Sequence, residues 1–239
     1  MKGVILSMNP RARIVDITHN VLPQNVEEAA YLLWACYRYF PQGTVFTCVV
    51  DPGVGTERKI VCVGTDQYRL IAPDNGLLNL IAHQETIRES IAVVDPHRFG
   101  LQPISATFHG RDIFAPLAAQ VSLGKPLTKF GKHYDLTIPS AAFYEPERGA
   151  TNGRILHIDH FGNIVTNIPE KYFGRCTIKV GKIVISTRIA SYSEAPEGLP
   201  CMMIGSSRLI EVAVRNDSAA KVLNANRTTP LSILKTSEH

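Results

Sequence analysis

The sequence predicts an α/β N-terminal domain, with a mostly parallel sheet flanked by helices, followed by a small all-β barrel domain. Up to Leu136, apolar runs of strand length alternate with segments of helical apolar spacing, which is typical of sheets covered by helices. From Gly153 onward, the segments are short, rich in β-branched residues and separated by turns, which favours a barrel or a sandwich. Two domains of different class are therefore expected.

A change of composition separates the two halves. Pro139, Pro146 and Gly149 lie close together in the chain, as is common in linkers. The expected organisation is an α/β domain at residues 1–138, a linker at 139–150 and a β-barrel domain at 151–239.

Helix and strand signals alternate in the N-terminal half. The first segment, 1–8, is expected to be a helix that Pro10 ends, because proline cannot continue it. A second helix begins after Asn25, a capping residue followed by two acids in the first turn. The other segments are assigned from apolar runs and spacing: strands at 13–18, 45–50, 59–64, 68–72 and 91–94, and helices at 77–83 and 112–123.

The C-terminal half gives strand signals throughout. Its β-branched segments are 154–158, 163–168, 175–180, 182–186, 202–204 and 210–214. From Thr228 onward, the chain is expected to be weakly ordered at its end.

Composition limits the class of protein. The 239 residues carry a formal net charge of +4 without a long basic run, so no nucleic-acid partner is expected. There is no secretory signal and no apolar run long enough to span a bilayer, so no membrane partner is expected. The five cysteines are scattered through apolar segments, which indicates buried reduced thiols rather than a zinc site. A cytoplasmic protein is therefore expected.

The segment Asp51-Pro52-Gly53-Val54-Gly55-Thr56-Glu57-Arg58 follows an apolar strand. Its acid is expected at the carboxyl end of that strand, where open α/β sheets bind ligands. Taken alone, the segment could be an ordinary Asp-Pro-Gly turn with a solvated arginine. A phosphate loop is not expected, because the Gly-Lys-Ser/Thr ending is missing.

A second motif, Phe108-His109-Gly110-Arg111-Asp112, immediately precedes a predicted helix. Its histidine could belong to the core, and Asp112 could simply cap the helix. Two glycine-bearing loops with ionisable groups at one sheet edge favour a site in which Asp51, Arg58 and His109 hold a water molecule. A divalent metal on Asp51, His109 and Asp112 is the alternative, and the nearby arginines count against it.

Polar residues also gather at two turns of the C-terminal half. Asp159 and Asn163 flank a bend marked by Gly162, where they could bind an amino-acid ligand whose ammonium group favours the carboxylate. The segment Ser206-Ser207-Arg208 precedes the strand predicted at 210–214. Taken singly, each patch is more simply a turn.

Together these motifs resemble one family, the S-adenosyl-L-methionine (SAM) hydroxide adenosyltransferases, which are related to the fluorinases and chlorinases. The matches occur in order over essentially the whole chain. They are Asn9-Pro10, Asp16-Ile17-Thr18-His19, Asp51 to Thr56, Pro73 to Leu77, Phe108 to Asp112, Asp159 to Asn167, and the serine pair before Leu209.

The resemblance implies an N-terminal α/β domain and a C-terminal β-barrel, in a homotrimer with ligand sites between one subunit's N-domain and a neighbour's C-domain. It implies SAM as the substrate, without a cofactor or a metal. The family's water-activating trio matches Asp51, Arg58 and His109, and the halogenating relatives lack this trio. The implied binding positions are Phe108 and Gly110 at the nucleoside, Asp159 and Asn163 at the methionine end, Ser207 and Arg208 at its carboxylate, and Val214 at the adenine.

The implied reaction is attack of an activated water or hydroxide on C5′ of SAM, giving adenosine and L-methionine. We favour His109 as the proton acceptor and Asp51 as the group that orients His109 and Arg58. Family members begin with a strand and a Thr-Asp-Phe-Gly-like turn that supplies an acid to the ribose hydroxyls. The sequence begins at Met1-Lys2-Gly3, so the N-terminal domain is expected to lack that strand. The alternatives are a nucleoside-binding protein with impaired catalysis and a metal-dependent hydrolase.

Overall fold

The computed structural model describes residues 1–136, 143–145 and 152–235. The chain divides into two compact units, Met1–Pro139 and Ser140–His239. The first contains a five-stranded sheet with helices, and the second contains a four-stranded and a three-stranded sheet. The domain boundaries expected from the sequence remain predictions, and only 143–145 of the expected linker lies within the described residues.

Most helices and strands of the first unit match elements expected from the sequence, but those at Pro96–Phe99 and Gly131–His133 were not expected. The helix after Asn25 is capped as predicted, because the Asn25 side chain accepts a hydrogen bond from the Glu28 N–H. The α-helices of this unit are α1 (Lys2–Met8), α2 (Val26–Cys36), α3 (Asn79–Gln84), α4 (Pro96–Phe99) and α5 (Ala115–Ser122). Its strands are β1 (Val45–Thr47), β2 (Ile60–Gly64), β3 (Arg69–Pro73), β4 (Glu89–Val93) and β5 (Gly131–His133). Short 3₁₀ turns lie at Tyr37–Tyr39 and Leu127–Lys129.

The prediction of a mostly parallel sheet is wrong. The strand order is β1-β3-β2-β4-β5, and among these pairs only β1 and β3 run parallel. The short turn between β2 and β3 is the physical reason, because a few residues can join antiparallel strands, whereas parallel strands need a long crossover. The Thr65 hydroxyl closes this turn by accepting a hydrogen bond from the Tyr68 N–H at 3.0 Å.

The strand predicted at 13–18 is also wrong, since this segment is irregular. Two of its three apolar side chains, Val15 and Ile17, are 61% and 38% exposed. A β-rich sequence forms a strand only where a neighbour supplies hydrogen bonds and buried surface. Within the described residues, no strand pairs with this segment.

The helix predicted at 112–123 begins earlier and in a different form. A π-helical turn, Gly110–Phe114, leads directly into α5. Short π segments inside helices are frequent at functional sites, because the extra residue changes the direction of the side chains. This turn carries the residues that follow His109.

The second unit is built from antiparallel strands, as predicted for an all-β domain. They are β6 (Ile155–Ile158), β7 (Ile164–Pro169), β8 (Cys176–Val180), β9 (Ile183–Ile185), β10 (Pro200–Ile204), β11 (Leu209–Val214) and β12 (Leu231–Lys235). One short helix, α6 (Ala219–Val222), and 3₁₀ turns at Glu170–Tyr172 and Tyr192–Glu194 complete the described elements. The strand β12, which the sequence analysis missed, pairs with β8 in full register.

These strands form two sheets, ordered β10-β11-β7-β6 and β12-β8-β9, and a closed barrel is not confirmed. Isolated bridges link the edges: Gly153 pairs with Leu231, and Arg188 pairs with Met202. Both sheets share one core, to which Ile178 of β8 and Ile210 of β11 contribute fully buried side chains.

No helix in the described part of the chain has the length and hydrophobicity needed to cross a bilayer.

We predict that Ile178→Ala lowers the free energy of unfolding of the second unit by about 2–5 kcal/mol, because it leaves a cavity in a closely packed core. Ile178 is 0% exposed. The matched control is Ile183→Ala on the adjacent strand β9, where the side chain is 40% exposed and the loss should be about 1 kcal/mol or less. Calorimetric unfolding of the full chain measures both losses, and equal losses would contradict the assignment of the core.

Candidate active site

A buried ion pair joins the two ends of the glycine-bearing loop after β1. Arg58 Nε donates hydrogen bonds to Asp51 Oδ1 at 3.0 Å and to Asp51 Oδ2 at 2.8 Å, and Arg58 Nη2 also donates to Oδ2. The side chains are only 12% (Arg58) and 5% (Asp51) exposed. A fork-shaped, charge-assisted contact of this kind fixes the orientation of both groups.

The loop is held from two sides. Asn75 Nδ2 donates to the Val50 carbonyl at 2.8 Å, which anchors the residue before Asp51. Gly55 has φ +80°, and a β-carbon there would lie 2.8 Å from the Ala106 carbonyl oxygen. Any other residue at 55 would therefore be strained and would push the 51–58 loop away from the segment leading to His109.

This close approach of the two loops brings His109 to the ion pair. Arg58 Nη2 lies 2.9 Å from His109 Nδ1, so Arg58 contacts Asp51 and His109 at once. The Arg58 guanidinium also lies over the ring of Phe114, 5.8 Å from its centroid. The structure thus brings the three predicted residues together, in the order Asp51–Arg58–His109.

The π-helical turn and a second ion pair position His109 from the other side. The N–H groups of Arg111 and Asp112 both donate to the Phe108 carbonyl at 3.0 Å. Asp112 is 1% exposed, and its carboxylate accepts hydrogen bonds from Arg111 Nε at 2.6 Å and from the Ser105 N–H at 2.9 Å. The Arg111 guanidinium, followed by the Ser105 N–H, lowers the pKa of Asp112, so this carboxylate remains a charged anchor.

The contact with Arg58 defines the protonation state of His109. A guanidinium has no acceptor atom, so Nδ1 must accept the hydrogen bond and the proton of the neutral ring lies on Nε2. Burial, and secondly the Arg58 charge, lower the pKa of His109 below its ordinary value of 6.5. Within the described residues, Nε2 has no hydrogen-bond partner, so it is a free N–H donor.

The proton-transfer roles expected within the trio remain predictions, and the observed contacts bear on them. Asp51 orients Arg58 directly and His109 only through Arg58. In the neutral tautomer, the lone pair of His109 is already engaged, which disfavours His109 as the proton acceptor.

The two residues predicted at the nucleoside flank His109. Phe108 is 61% exposed, and the Arg111 guanidinium lies 5.4 Å from its ring centroid. Gly110 begins the π-helical turn, and a β-carbon there would lie 3.3 Å from Met1 Sδ and 3.7 Å from Val49 Cγ1. An exposed aromatic ring beside a restricted backbone position can stack on a planar ligand.

In the second unit, Asp159 and Asn163 form one rigid turn between β6 and β7. Asp159 Oδ1 accepts hydrogen bonds from the Phe161 N–H at 2.9 Å and the Asn163 N–H at 2.8 Å, and Oδ2 accepts one from Asn163 Nδ2 at 2.9 Å. Asn163 is buried, whereas Phe161 at the tip of the turn is 76% exposed. The carboxylate is thereby fixed beside an exposed aromatic ring.

The other predicted binding residues lie at the two ends of β11. Ser207 and Arg208 belong to the turn between β10 and β11, where Arg208 has φ +60°. The Arg208 guanidinium pairs with Glu170 at 2.9 Å, so it would have to exchange this partner to bind a substrate carboxylate. Val214 ends β11, and its carbonyl accepts a hydrogen bond from the Asp217 N–H at 3.4 Å.

The metal alternative has little support from the side chains. Within the described residues, no group of three or more His, Cys, Asp and Glu side chains could hold a metal ion. Asp51 and Asp112 are each engaged by an arginine, and His109 also contacts one.

Three residues that the structure brings to these patches were not expected there from the sequence. Asn75 was assigned only to a turn, and Phe114 only to a helix. Glu211 lies within β11, where a single acid in the apolar run Leu209 to Val214 was a signal that could have been noticed.

Comparison with known proteins identifies the family. The model described as SAM hydroxide adenosyltransferase N-terminal domain matches residues 1–131, and the C-terminal domain model of the same family matches 153–232. A Thermus thermophilus protein named (R)-S-adenosyl-L-methionine hydrolase is 34% identical, over 98% of this chain and 92% of that protein. A fluorinase from Actinoplanes sp. is 32% identical, over 70% of this chain and 65% of the fluorinase.

The fold has a counterpart of similar size. The crystal structure of an uncharacterized conserved protein from Thermotoga maritima matches with a TM-score of 0.85 and 31% identity, covering 98% of this chain and 93% of that one. The family models, the full-length relative and the matched fold agree. The chain belongs to the SAM hydroxide adenosyltransferase family.

Proposed function

We propose that the protein hydrolyses SAM to adenosine and L-methionine by attack of water on the C5′ carbon. The observation that carries this proposal is the contact chain Asp51–Arg58–His109 in a member of this family. Relatives that are similar over nearly the whole chain and are named SAM hydrolases support the same reaction. The chain also retains the trio that the halogenating relatives are expected to lack.

The trio offers one water molecule both a donor and an acceptor. His109 Nε2–H donates to the water oxygen, and a free lone pair of the Asp51 carboxylate accepts a water proton. As the oxygen bonds to C5′, the electron pair of the C5′–S bond passes to sulfur and the proton passes to Asp51. The products are adenosine and the neutral thioether of methionine, and the charge of the lost sulfonium is carried by the released proton.

The charges of the trio suit a cationic substrate. Asp51 and Arg58 cancel each other, and His109 is neutral, so the site adds no net positive charge beside the sulfonium. Developing hydroxide and sulfonium have opposite charges, and excluding water from around them favours their combination. Holding the water in line with the C5′–S bond adds an orientation benefit.

The other residues at family binding positions contact the remaining parts of the substrate. Phe108 and Gly110 contact the nucleoside, and Val214 contacts the adenine. Asp159 and Asn163 hold the amino-acid end, while Ser207 and Arg208 hold its carboxylate. The reaction needs no metal and no cofactor.

We infer a cytoplasmic homotrimer in which the N-domain of one subunit and the C-domain of a neighbour share each substrate. We also infer that the two sheets of the second unit close into a barrel through the edge bridges at Gly153–Leu231 and Arg188–Met202.

We predict that the wild-type protein converts SAM in H₂¹⁸O into L-methionine and adenosine carrying ¹⁸O at the 5′ hydroxyl. Asp51→Asn should lower kcat by about 10²–10⁴-fold, because the water loses its proton acceptor. Arg58→Lys should cause a comparable loss, because an ammonium cannot hold Asp51 and His109 with one planar fork. Mass spectrometry of the products measures both yield and label.

The matched control is Arg88→Lys, which alters an exposed arginine–aspartate pair with Asp66 and should leave kcat unchanged. EDTA should also leave the rate unchanged. A 5′-halogenated adenosine formed in the presence of halide, or a rate abolished by EDTA, would contradict the mechanism. Adenosine binding without turnover would indicate a nucleoside-binding protein.

We predict that His109 titrates below pH 6.5 in the free protein, so that the ring is a neutral donor at neutral pH. The Arg58→Ala variant should raise this pKa, because it removes the neighbouring cation and leaves the Asp51 charge unpaired. NMR titration of the ring nitrogens measures both the pKa and the tautomer. Arg88→Ala is the control, and a wild-type pKa above 6.5, or a pKa unchanged in Arg58→Ala, would overturn the assignment.

A further inference from the structure

The second unit contains a largely buried acid, Glu211, which takes no part in the contacts of the Asp51–Arg58–His109 trio. Glu211 lies in the middle of β11 and is only 8% exposed. Its neighbours Ile210 and Val212 point into the core of this unit, so alternation along the strand directs Glu211 to the opposite face of the sheet. A carboxylate is rarely buried in this way without a partner.

The Glu211 carboxylate has no such partner in the described part of the chain, where it receives no hydrogen bond and forms no ion pair. It lies against Gly205, at the start of the turn between β10 and β11. A β-carbon at Gly205 would lie 1.7 Å from Glu211 Oε1, so only glycine leaves room for the carboxylate there. The carboxylate is largely but not completely enclosed, so a ligand can reach it and compensate a charge that has no partner in the protein.

The groups facing Glu211 add negative charge. Burial, and secondly the charge of Asp159, raise the pKa of Glu211 to about 7. The phenol of Tyr192 is close enough that both carboxylates, after burial, raise its pKa too. The strands on either side of Glu211 contribute only Val165 and Met203 opposite it. Asp159 itself is fixed by its three hydrogen bonds, so it cannot turn away from Glu211.

The arrangement therefore suits a cation, and its ligand set limits which one. Two carboxylates and a phenol are too few for a divalent metal, in agreement with the lack of a three-residue metal-ligand group within the described residues. An alkylammonium carries one charge and three N–H donors, which two carboxylates can accept. The exposed rings of Phe161 and Tyr192, 76% and 46% exposed, flank the same turn and can pack against an attached alkyl chain.

We propose that Glu211 acts with Asp159 as the binding site for the α-ammonium group at the amino-acid end of the substrate. This inference rests on the proposed function, which supplies a ligand with that group. Glu211 is a positioning residue for binding and takes no part in the attack on C5′.

The site couples ammonium binding to the release of a proton. Below pH 7 the unliganded Glu211 is mostly protonated, and above pH 7 it is mostly charged. A bound ammonium favours the charged form and lowers the pKa of Glu211, so binding near pH 7 expels a proton. Affinity for the amino-acid end should therefore rise as the pH rises through about 7.

The test is calorimetric titration of the full chain with L-methionine in the presence of saturating adenosine, at pH 6 and pH 8. Near pH 7, buffers of different ionisation enthalpy report the protons released. Glu211→Gln should weaken binding on the order of tenfold at pH 8, and much less at pH 6, because it removes a charge-assisted contact. It should also abolish the proton release. Asp159→Asn should weaken binding and shift the pH midpoint downward, because it removes the repulsion on Glu211.

The matched control is Glu197→Gln, the same chemical change at an exposed acid of the second unit, which should bind and release protons like the wild type. Deaminated methionine, 4-(methylsulfanyl)butanoate, should bind wild type and Glu211→Gln equally. Unchanged affinity and proton release in a folded Glu211→Gln variant would overturn the inference, even if SAM is hydrolysed. Glu211-dependent methionine binding in a protein that does not hydrolyse SAM would contradict only the proposed reaction.

Discussion

The buried contact between Asp51 and Arg58 is the constraint on which the site depends. Asp51 follows β1 by four residues and Arg58 lies just before β2, so the ion pair closes the intervening loop. Removing either partner of a buried pair leaves an uncompensated charge, which costs about 3–5 kcal/mol in other proteins. The same guanidinium contacts His109, so a single side chain fixes the positions of both Asp51 and His109. The positions of the three residues are therefore coupled, and replacing Arg58 should displace both Asp51 and His109.

The surroundings of this pair explain why the site can be precise although it is built on loops. Gly55 allows the loop to reach the Ala106 carbonyl, and the buried Asp112 ties the preceding segment to the π-helical turn through the Ser105 N–H. Phe114, from the same turn, lies beneath the Arg58 guanidinium. Catalytic side chains need this kind of support, because a displacement of about 1 Å can remove most of the rate.

Much of the fold could be predicted from local patterns, and the errors have physical causes. Capping at Asn25 and the apolar runs located α2, β2 and β3 correctly. The predicted sheet direction is wrong because alternating strand and helix signals favour a parallel sheet, whereas the short loop after β2 joins an antiparallel pair. The segment 13–18 has the composition of a strand but lacks a neighbour, and pairing cannot be read from composition.

For the site residues too, sequence patterns predict which residues lie together, whereas their contacts depend on how the chain packs. The sequence placed Asp51, Arg58 and His109 at one edge, and the structure brings them into contact. It could not give the order of contacts, in which Arg58 lies between Asp51 and His109. The single acid in the apolar run of β11 was a sequence signal for Glu211, but its acidic neighbour Asp159 is seen only in the structure. Whether Arg208 leaves Glu170 to bind substrate is likewise a property of the liganded protein.

The most direct test of the account is a high-resolution crystal structure with an unreactive SAM analogue in which carbon replaces the sulfonium sulfur. We expect one ordered water that accepts a hydrogen bond from His109 Nε2, donates one to Asp51, and faces C5′ opposite the replaced sulfur. A ligand whose C5′ lies far from the trio, or a water in line with C5′ that is held by other residues, would contradict the account.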